Sequence, residues 1–316
     1  MRRKQALKPQ RLKRGDTIGI VAPARSFDLS NFRRGVEKLE KIGFKIKYDR
    51  SIFRKYWLMA GYDRERAQQI NRMFADSQVK AIFCAQAGYG AIRTIPYLDR
   101  HIIRRNPKIF VGYSDITILL SYFLKVANMV VFHGPVVSGE IFTGMSSLTL
   151  NFLLRAIARC APLGAISFPR LKPLKPGKAT GVLVGGNMSL LVSTIGTPYE
   201  IDTIGKILFL EDIDEDIEVI DKYLMHLKLA GKLNNIRGII FGKMIDCFDY
   251  SGKKYNIRNI LNDILYDIKV PILYGFPSGH SKRGIKREAN ITLPFGVCVT
   301  IDANNSCLII NEPAVR

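Results

Sequence analysis

From Asp16 to Val131 the chain alternates short runs of β-branched and aliphatic residues with stretches whose apolar positions recur every three to four residues. Strands of that kind, separated by helical patterns, are the signature of a parallel sheet covered by helices. The runs predict strands at Thr17–Ala22, Phe44–Tyr48, Val79–Cys84, Ile109–Gly112 and Met129–Phe132. Phe32, Val36, Leu39 and Ile42 share one face of a predicted helix over Leu29–Ile42, and a second helix runs from Asp63 to Phe74 behind an acidic start. A third begins after Ser114, with Ile116, Leu119, Leu120, Phe123 and Leu124 along one side.

Both periodicities fail between Pro162 and Lys178, where Pro169, Pro173 and Pro176 stand among lysines. That stretch predicts a linker over 162–179. Beyond it the α/β pattern resumes, with strands expected at Gly181–Val184, Lys206–Leu210 and Gly238–Phe241 and a helix bearing Ile217, Ile220, Leu224 and Leu227. After His280 the pattern changes to short β segments at Ala289–Leu293, Val297–Ile301 and Cys307–Ile310, with turn residues Gly296 and Asn304-Asn305 between them. The expected organisation is therefore an N-terminal α/β domain over 1–161 and a mixed α/β domain over 180–316. At 316 residues and 47% apolar composition, two cores of that size can be buried.

No apolar run approaches the ~18 to 20 residues needed to span a bilayer, and the basic start Met1-Arg2-Arg3-Lys4 leads into no apolar segment of signal-peptide length. A cytoplasmic protein with no membrane partner is expected. Five cysteines, an odd number without a C-x-x-C pair, predict free buried thiols, and four histidines never spaced i, i+4 predict no metal. The formal net charge of +21 raises nucleic acid as a partner. The basic residues fall in small scattered groups such as Arg33-Arg34 and Arg104-Arg105, however, without a nucleic-acid motif or a basic tail. A solvated basic surface that attracts anionic small substrates is the expectation, with no nucleic-acid partner and no cofactor.

Candidate chemistry gathers where predicted strands end. In Val111-Gly112-Tyr113-Ser114-Asp115-Ile116 a buried strand turns tightly into a helix, with Ser114 at the turn. A serine so placed stands beside the unsatisfied N–H groups of the helix, of which that of Asp115 is the natural oxyanion donor. Thr117 stands where the familiar G-x-S-x-G elbow has its last glycine, and Ser-Asp is also an ordinary helix N-cap, so nucleophile and cap both remain open. Ala85-Gln86-Ala87-Gly88-Tyr89-Gly90 ends another strand at the same sheet edge. Gly88 there could supply a second oxyanion N–H, and a phosphate-binding loop or a plain turn would read the same way.

In the second half the strand Ile207–Leu210 ends in Glu211-Asp212-Ile213-Asp214-Glu215-Asp216. Most of these acids are expected to cap the next helix, whereas Glu211 directly follows the strand and can reach into a cleft. Tyr274-Gly275-Phe276-Pro277-Ser278-Gly279-His280 places a histidine at the tip of a glycine turn, where a mobile, polar setting would keep the imidazole titratable near neutrality. His133, ending a strand, is expected to pack or hydrogen-bond; His226 and His101 have structural and surface explanations.

Taken in order, Gly15-Asp16-Thr17-Ile18-Gly19-Ile20-Val21-Ala22-Pro23, Gly88-Tyr89-Gly90, Gly112-Tyr113-Ser114-Asp115, Phe132-His133-Gly134-Pro135, Gly185-Gly186-Asn187-Met188-Ser189, Gly196-Thr197-Pro198, Leu210-Glu211-Asp212 and Gly279-His280 resemble the LD-carboxypeptidase family of serine peptidases. The resemblance spans roughly residues 12–309. It implies a flavodoxin-like N-terminal parallel-sheet domain, a smaller mixed α/β C-terminal domain, an active site between them and a homodimer. It places the family's nucleophile on Ser114, its histidine on His280 and its glutamate on Glu211. The implied reaction removes the terminal D-alanine of a murein tetrapeptide in cell-wall recycling. Two departures stand out. Gln86-Ala87 replaces the family's Arg-Gly or Gly-Gly, and Ser281-Lys282-Arg283-Gly284-Ile285-Lys286-Arg287 is unusually basic, either a solvated charge run or a holder of substrate carboxylates. Immunity-type members of the family hydrolyse a peptidyl-nucleotide antibiotic and stack its base on a loop tryptophan. The only tryptophan here is Trp57, far from that loop in sequence, which favours the murein peptide. A non-catalytic two-domain binding module is the alternative from another class.

Overall fold

The computed structural model describes residues 5–249, 256–282 and 288–316. In chain order, the first unit contributes β1 (Thr17–Val21), α1 (Leu29–Ile42), β2 (Lys45–Tyr48), α2 (Asp63–Ala75), β3 (Val79–Cys84), α3 (Arg100–Arg105), β4 (Ile109–Gly112), α4 (Thr117–Ala127), β5 (Val131–His133) and α5 (Ser147–Ala158). The second contributes β6 (Gly164–Ile166), β7 (Lys172–Lys175), β8 (Lys178–Asn187), α6 (Met188–Val192), β9 (Lys206–Ile213), α7 (Ile217–Leu229), β10 (Gly238–Ile245), α8 (Ile257–Ile264) and β11 (Ile272–Tyr274). The chain then returns to the first unit for β12 (Leu293–Phe295) and closes in the second with β13 (Cys298–Asp302) and β14 (Cys307–Ile310). The last residues, 313–316, again belong to the first unit.

The first sheet has the order β12-β5-β4-β3-β1-β2, with β2, β1, β3, β4 and β5 parallel and β12 antiparallel to β5. Its parallel part is the flavodoxin-like order 2-1-3-4-5, whose switch point lies between β1 and β3. The five expected strands are present within two residues of their predicted ends, and α1 spans the predicted residues. Phe74, Phe110 and Phe123 meet between sheet and helices, with ring centroids 4.8 Å apart for Phe110 and Phe123 and 5.3 Å for Phe74 and Phe123. All three are fully buried, each worth ~1.5 to 3 kcal/mol of apolar transfer.

The second sheet has the order β6-β14-β13-β8-β9-β10-β11-β7. Its centre, β8 to β11, is parallel, and antiparallel strands flank it on both sides, so the C-terminal unit is mixed α/β as expected.

Three expectations are corrected. The stretch 162–179 is not a linker, because it supplies β6 and β7 to the two edges of the second sheet and the start of β8. An edge strand tolerates proline, and Pro173 sits in β7. The segment expected as a strand over Ala289–Leu293 begins pairing only at Leu293, and then in the first sheet. Upstream of it the Asn290 N–H donates to Thr149 Oγ1 at 3.0 Å, which ties that segment to the first turn of α5 rather than to a strand neighbour. Finally, the five cysteines are free, but only Cys84 is buried; Cys160 is exposed and the others are intermediate. Among the described residues no helix is long and apolar enough to cross a membrane.

Candidate active site

β4 is buried along its whole length and delivers Tyr113 in an extended conformation. Ser114 then takes φ +60°, the left-handed region that a non-glycine residue occupies at a cost of order 1 kcal/mol or more. The residues Ser114–Ile116 form a single tight turn that runs directly into α4. Gly112 makes the turn possible, since a Cβ there would stand 2.7 Å from Ile116 Cγ2. Tyr113 is tethered through its hydroxyl to Glu140. The result is a strand–turn–helix with a half-buried serine at its bend, the backbone shape of a nucleophile elbow although the G-x-S-x-G sequence is absent.

Asp115 was expected to contribute its N–H. Its side chain proves equally informative, because the buried carboxyl accepts from Ala91 N–H at 2.8 Å and also from Gly90 N–H. Burial pushes this carboxyl up to about 6, against the lowering influence of those two N–H groups and of the Arg66 guanidinium. The carboxyl thus ties the turn after β4 to the glycine turn after β3. In that second turn Gly88 has φ +111° and Gly90 φ +109°. A Cβ on Gly90 would meet Met59 at 2.9 Å.

Arg66, which the sequence reading passed over, holds the same turn from beneath. It is wholly buried in α2, donates to the carbonyls of Pro23 and Gly90, and pairs with Asp63. Burial lowers its pKa while Asp63 raises it. The signal was available: position 66 lies on the same helical stripe as Ile70, Met73 and Phe74, so an arginine there had to enter the core. Gln69, on the same face, accepts from Ala22 N–H at 3.2 Å and steadies the end of β1.

The other expected residues lie in the second unit. Glu211, on the buried β9, is fully inaccessible. Its Oε2 accepts both from His280 Nδ1 at 2.7 Å and from the His280 backbone N–H at 3.1 Å. Gly279 allows this approach: it has φ +116°, and a Cβ there would stand 2.6 Å from Glu211 Oε2. Lys243 N–H of β10 donates to the Ser278 carbonyl at 3.0 Å and fixes the turn one residue earlier. The histidine was expected at a mobile, polar loop tip. It is instead part-buried, its side chain 13% exposed, because the carboxylate draws it inward. Of the basic run that follows, residues 283–287 lie outside the described residues.

Asp212, next to Glu211, points to the opposite face of the strand and is held by Asn187 Nδ2 at 2.8 Å, Ser189 N–H at 2.9 Å and Ile213 N–H at 3.0 Å. Burial, and then the neighbouring Glu211 charge, push its carboxyl up to about 6. The expected capping role falls to Asp216, which accepts from Glu218 N–H at 2.9 Å at the start of α7. His133 is fully buried, edge-on to Tyr113 with ring centroids 5.8 Å apart, and tilted against Phe295 at 5.6 Å. His101 and His226 lie on exposed faces of α3 and α7. Among the described residues no group of three or more His, Cys, Asp or Glu is close enough to share a metal ion.

The structure thus joins Glu211 to His280 in one unit, and Asp115 to the glycine turn in the other, where Ser114 also lies. A carboxylate on Nδ1 fixes the tautomer of an imidazole and stabilises its protonated form. A left-handed serine at a helix entrance holds its hydroxyl away from the sheet, beside outward-facing N–H groups.

Residues 18–134 match the LD-carboxypeptidase N-terminal domain and residues 180–301 the LD-carboxypeptidase C-terminal domain. A probable murein peptide carboxypeptidase of Bacillus subtilis (strain 168) is 36% identical over 305 residues, covering 96% of this chain and 94% of that protein. The microcin C7 self-immunity protein MccF of Escherichia coli is 29% identical over 330 residues, covering 94% of each chain. Among solved structures, MccF in complex with glutamyl sulfamoyl guanosine superposes with a TM-score of 0.88 at 25% identity, covering 98% of this chain and 100% of that one. The muramoyltetrapeptide carboxypeptidase from Oxalobacter formigenes gives 0.82 at 25% identity, covering 94% and 99%.

Proposed function

The chain belongs to the LD-carboxypeptidase family, as a serine-type peptidase, and from that membership we propose that it removes the terminal D-alanine from murein tetrapeptides. The observation that carries the reading is the 2.7 Å bond between His280 Nδ1 and the inaccessible Glu211 carboxylate, paired with a serine in the left-handed conformation at the end of β4. Ser114 Oγ attacks the carbonyl of the penultimate residue while His280 takes the hydroxyl proton on Nε2. The N–H groups of Asp115 and Gly88 receive the oxyanion. Collapse breaks the C–N bond, the proton passes from His280 to the departing D-alanine amine, and a water repeats the sequence on the acyl-enzyme. Glu211 keeps the imidazole in the competent tautomer throughout.

A cytoplasmic place in cell-wall recycling and a homodimer complete the proposal. Incubating a murein tetrapeptide with the protein and following the products by mass spectrometry tests it: a tripeptide and free D-alanine are expected, and Ser114→Ala should yield neither while remaining folded. Retained release by Ser114→Ala would remove the serine from its role. Failure of a serine-reactive phosphonate to label Ser114 would instead favour a non-catalytic binding module.

A second reading, an immunity-type hydrolase, is supported by the similarity to MccF. Against it, the sole tryptophan, Trp57, lies in the segment between β2 and α2, far along the chain from the loop on which immunity-type members carry theirs. An aminoacyl sulfamoyl nucleoside, added as a competitor of tetrapeptide hydrolysis, discriminates between the two: no inhibition is expected of a murein-specific enzyme.

A further inference from the structure

An exopeptidase has to distinguish a chain end from a peptide bond in mid-chain, and the end differs by one negative charge. We infer that Arg25 is the cation that receives the free carboxylate at the C-terminus of the substrate. This deepens the proposed function and rests on it, since it takes the turn carrying Gly88 as the oxyanion donor.

Arg25 follows β1 at the carboxyl edge of the first sheet, at the switch point between β1 and β3 where open α/β sheets take their ligands. Its stem lies along the glycine turn: a Cβ built on Gly88 would stand 3.0 Å from Arg25 Cβ and 3.1 Å from its Cδ. The backbone beneath it is fixed, because Arg25 bridges Met59, Ser26 N–H donates to Leu58 O at 2.8 Å and Ala60 N–H donates to Ala24 O at 3.0 Å.

Neighbouring arginines are committed elsewhere. Arg66 and Arg93 pair with Asp63, Arg54 with Glu65 and Arg72 with Asp49. Among the described residues Arg25 has no carboxylate partner, and it is exposed.

The distances suit the role. In a peptide the terminal carboxylate carbon lies roughly 3 to 4 Å from the scissile carbonyl carbon, and a guanidinium ends roughly 5 Å beyond its own Cβ. With the arginine stem against Gly88, a carbonyl held at the Gly88 N–H brings its neighbouring carboxylate within reach of the fork. A planar guanidinium grips a carboxylate with two parallel N–H···O bonds, a geometry that an amide at the same position cannot return.

The test compares kcat/KM for the tetrapeptide with a free terminal carboxylate against the same peptide with a C-terminal amide, in the unsubstituted enzyme and in Arg25→Ala, Arg25→Lys and Arg25→Glu. The unsubstituted enzyme should prefer the acid. Arg25→Ala should lower kcat/KM for the acid about 10- to 100-fold, chiefly through KM, and narrow the acid-to-amide ratio correspondingly. Arg25→Lys should fall between, and Arg25→Glu should discriminate against the acid. An undiminished acid preference in both Arg25→Ala and Arg25→Glu overturns the assignment of Arg25 alone. Turnover of neither peptide by the unsubstituted enzyme overturns the proposed substrate, and the assignment with it.

Discussion

Gly279 and Glu211 show how little room the bonded pair of Glu211 and His280 leaves. An alanine at 279 would need both a left-handed backbone and a Cβ 2.6 Å from the carboxylate oxygen that holds His280. Gly279→Ala should therefore cost about 1 to 3 kcal/mol of stability and lower kcat more than it raises KM, as read by urea unfolding and tetrapeptide turnover. An unchanged kcat would mean that the glycine serves the turn alone.

Asp115 and Asp212 give a pH signature. Each carboxyl is raised from 3.8 to about 6, mainly by burial, so the folded state retains a proton that the unfolded state releases. Their contribution to stability is complete below pH ~4 and is lost as pH rises through about 6. Asp115→Asn should flatten that part of the profile, measured as urea midpoints between pH 4 and 7; an unaltered slope would assign the protons elsewhere.

At this scale the sequence singled out Ser114, Glu211 and His280 as residues after strand ends; Ser114 and His280 do stand in turns after β4 and β11, whereas Glu211 lies within β9, which runs on to Ile213. The side-chain role of Asp115 and the carbonyl that Arg66 serves at Gly90 depend on partners 24 residues away along the chain, and local patterns do not carry such pairings, although the helical stripe of α2 does place Arg66 in the core.

Among the elements, the junction of β8 and α6 explains the run Gly185-Gly186-Asn187-Met188-Ser189. Asn187 sits opposite Glu211 in the ladder, caps α6 through Leu190 N–H at 3.2 Å and donates to Asp212. Asn187→Ala removes a cap and leaves a buried carboxyl with one donor fewer. It should cost about 2 to 4 kcal/mol in chemical denaturation; a loss below about 1 kcal/mol would show that water replaces the amide. The elements that sequence patterning located best were the central strands and α1, whose burial enforces a clean period. Among the strands, β6, β7 and β12 were missed, and each is an edge strand with one neighbour. An edge position imposes weaker patterning and accepts proline, as Pro173 and Pro294 show, so the period faded where the sheet ends.

For the molecule as a whole, a net charge of +21 should steer acidic peptides toward the enzyme. Between 20 and 200 mM salt, kcat/KM for a peptide bearing several carboxylates should fall several-fold, and that for its amidated and esterified counterpart should change little. Equal salt dependence would assign the charge to solubility alone.

The organisation into two units was legible in the order of the motifs, but the return of the chain to the first sheet was not, because the pairing of Leu293 with His133 joins positions that no local pattern connects. A shortened chain ending at Ala161 would lack β12 and also the terminal segment, whose Arg316 bonds to Pro9 and Arg11. It should lose cooperative unfolding in circular dichroism; a sharp transition would show that those additions are dispensable.

The late arrival of β12 also has a consequence during synthesis. When His133 leaves the ribosome, the open flank of β5 waits for a strand encoded about 160 codons downstream, roughly 10 to 30 s later at ordinary elongation rates. For that interval the nascent chain displays an apolar, unpaired flank to any neighbour on the same message. Translation pauses before residue 293 should therefore lower the soluble yield, whereas pauses after residue 295 should leave it unaltered.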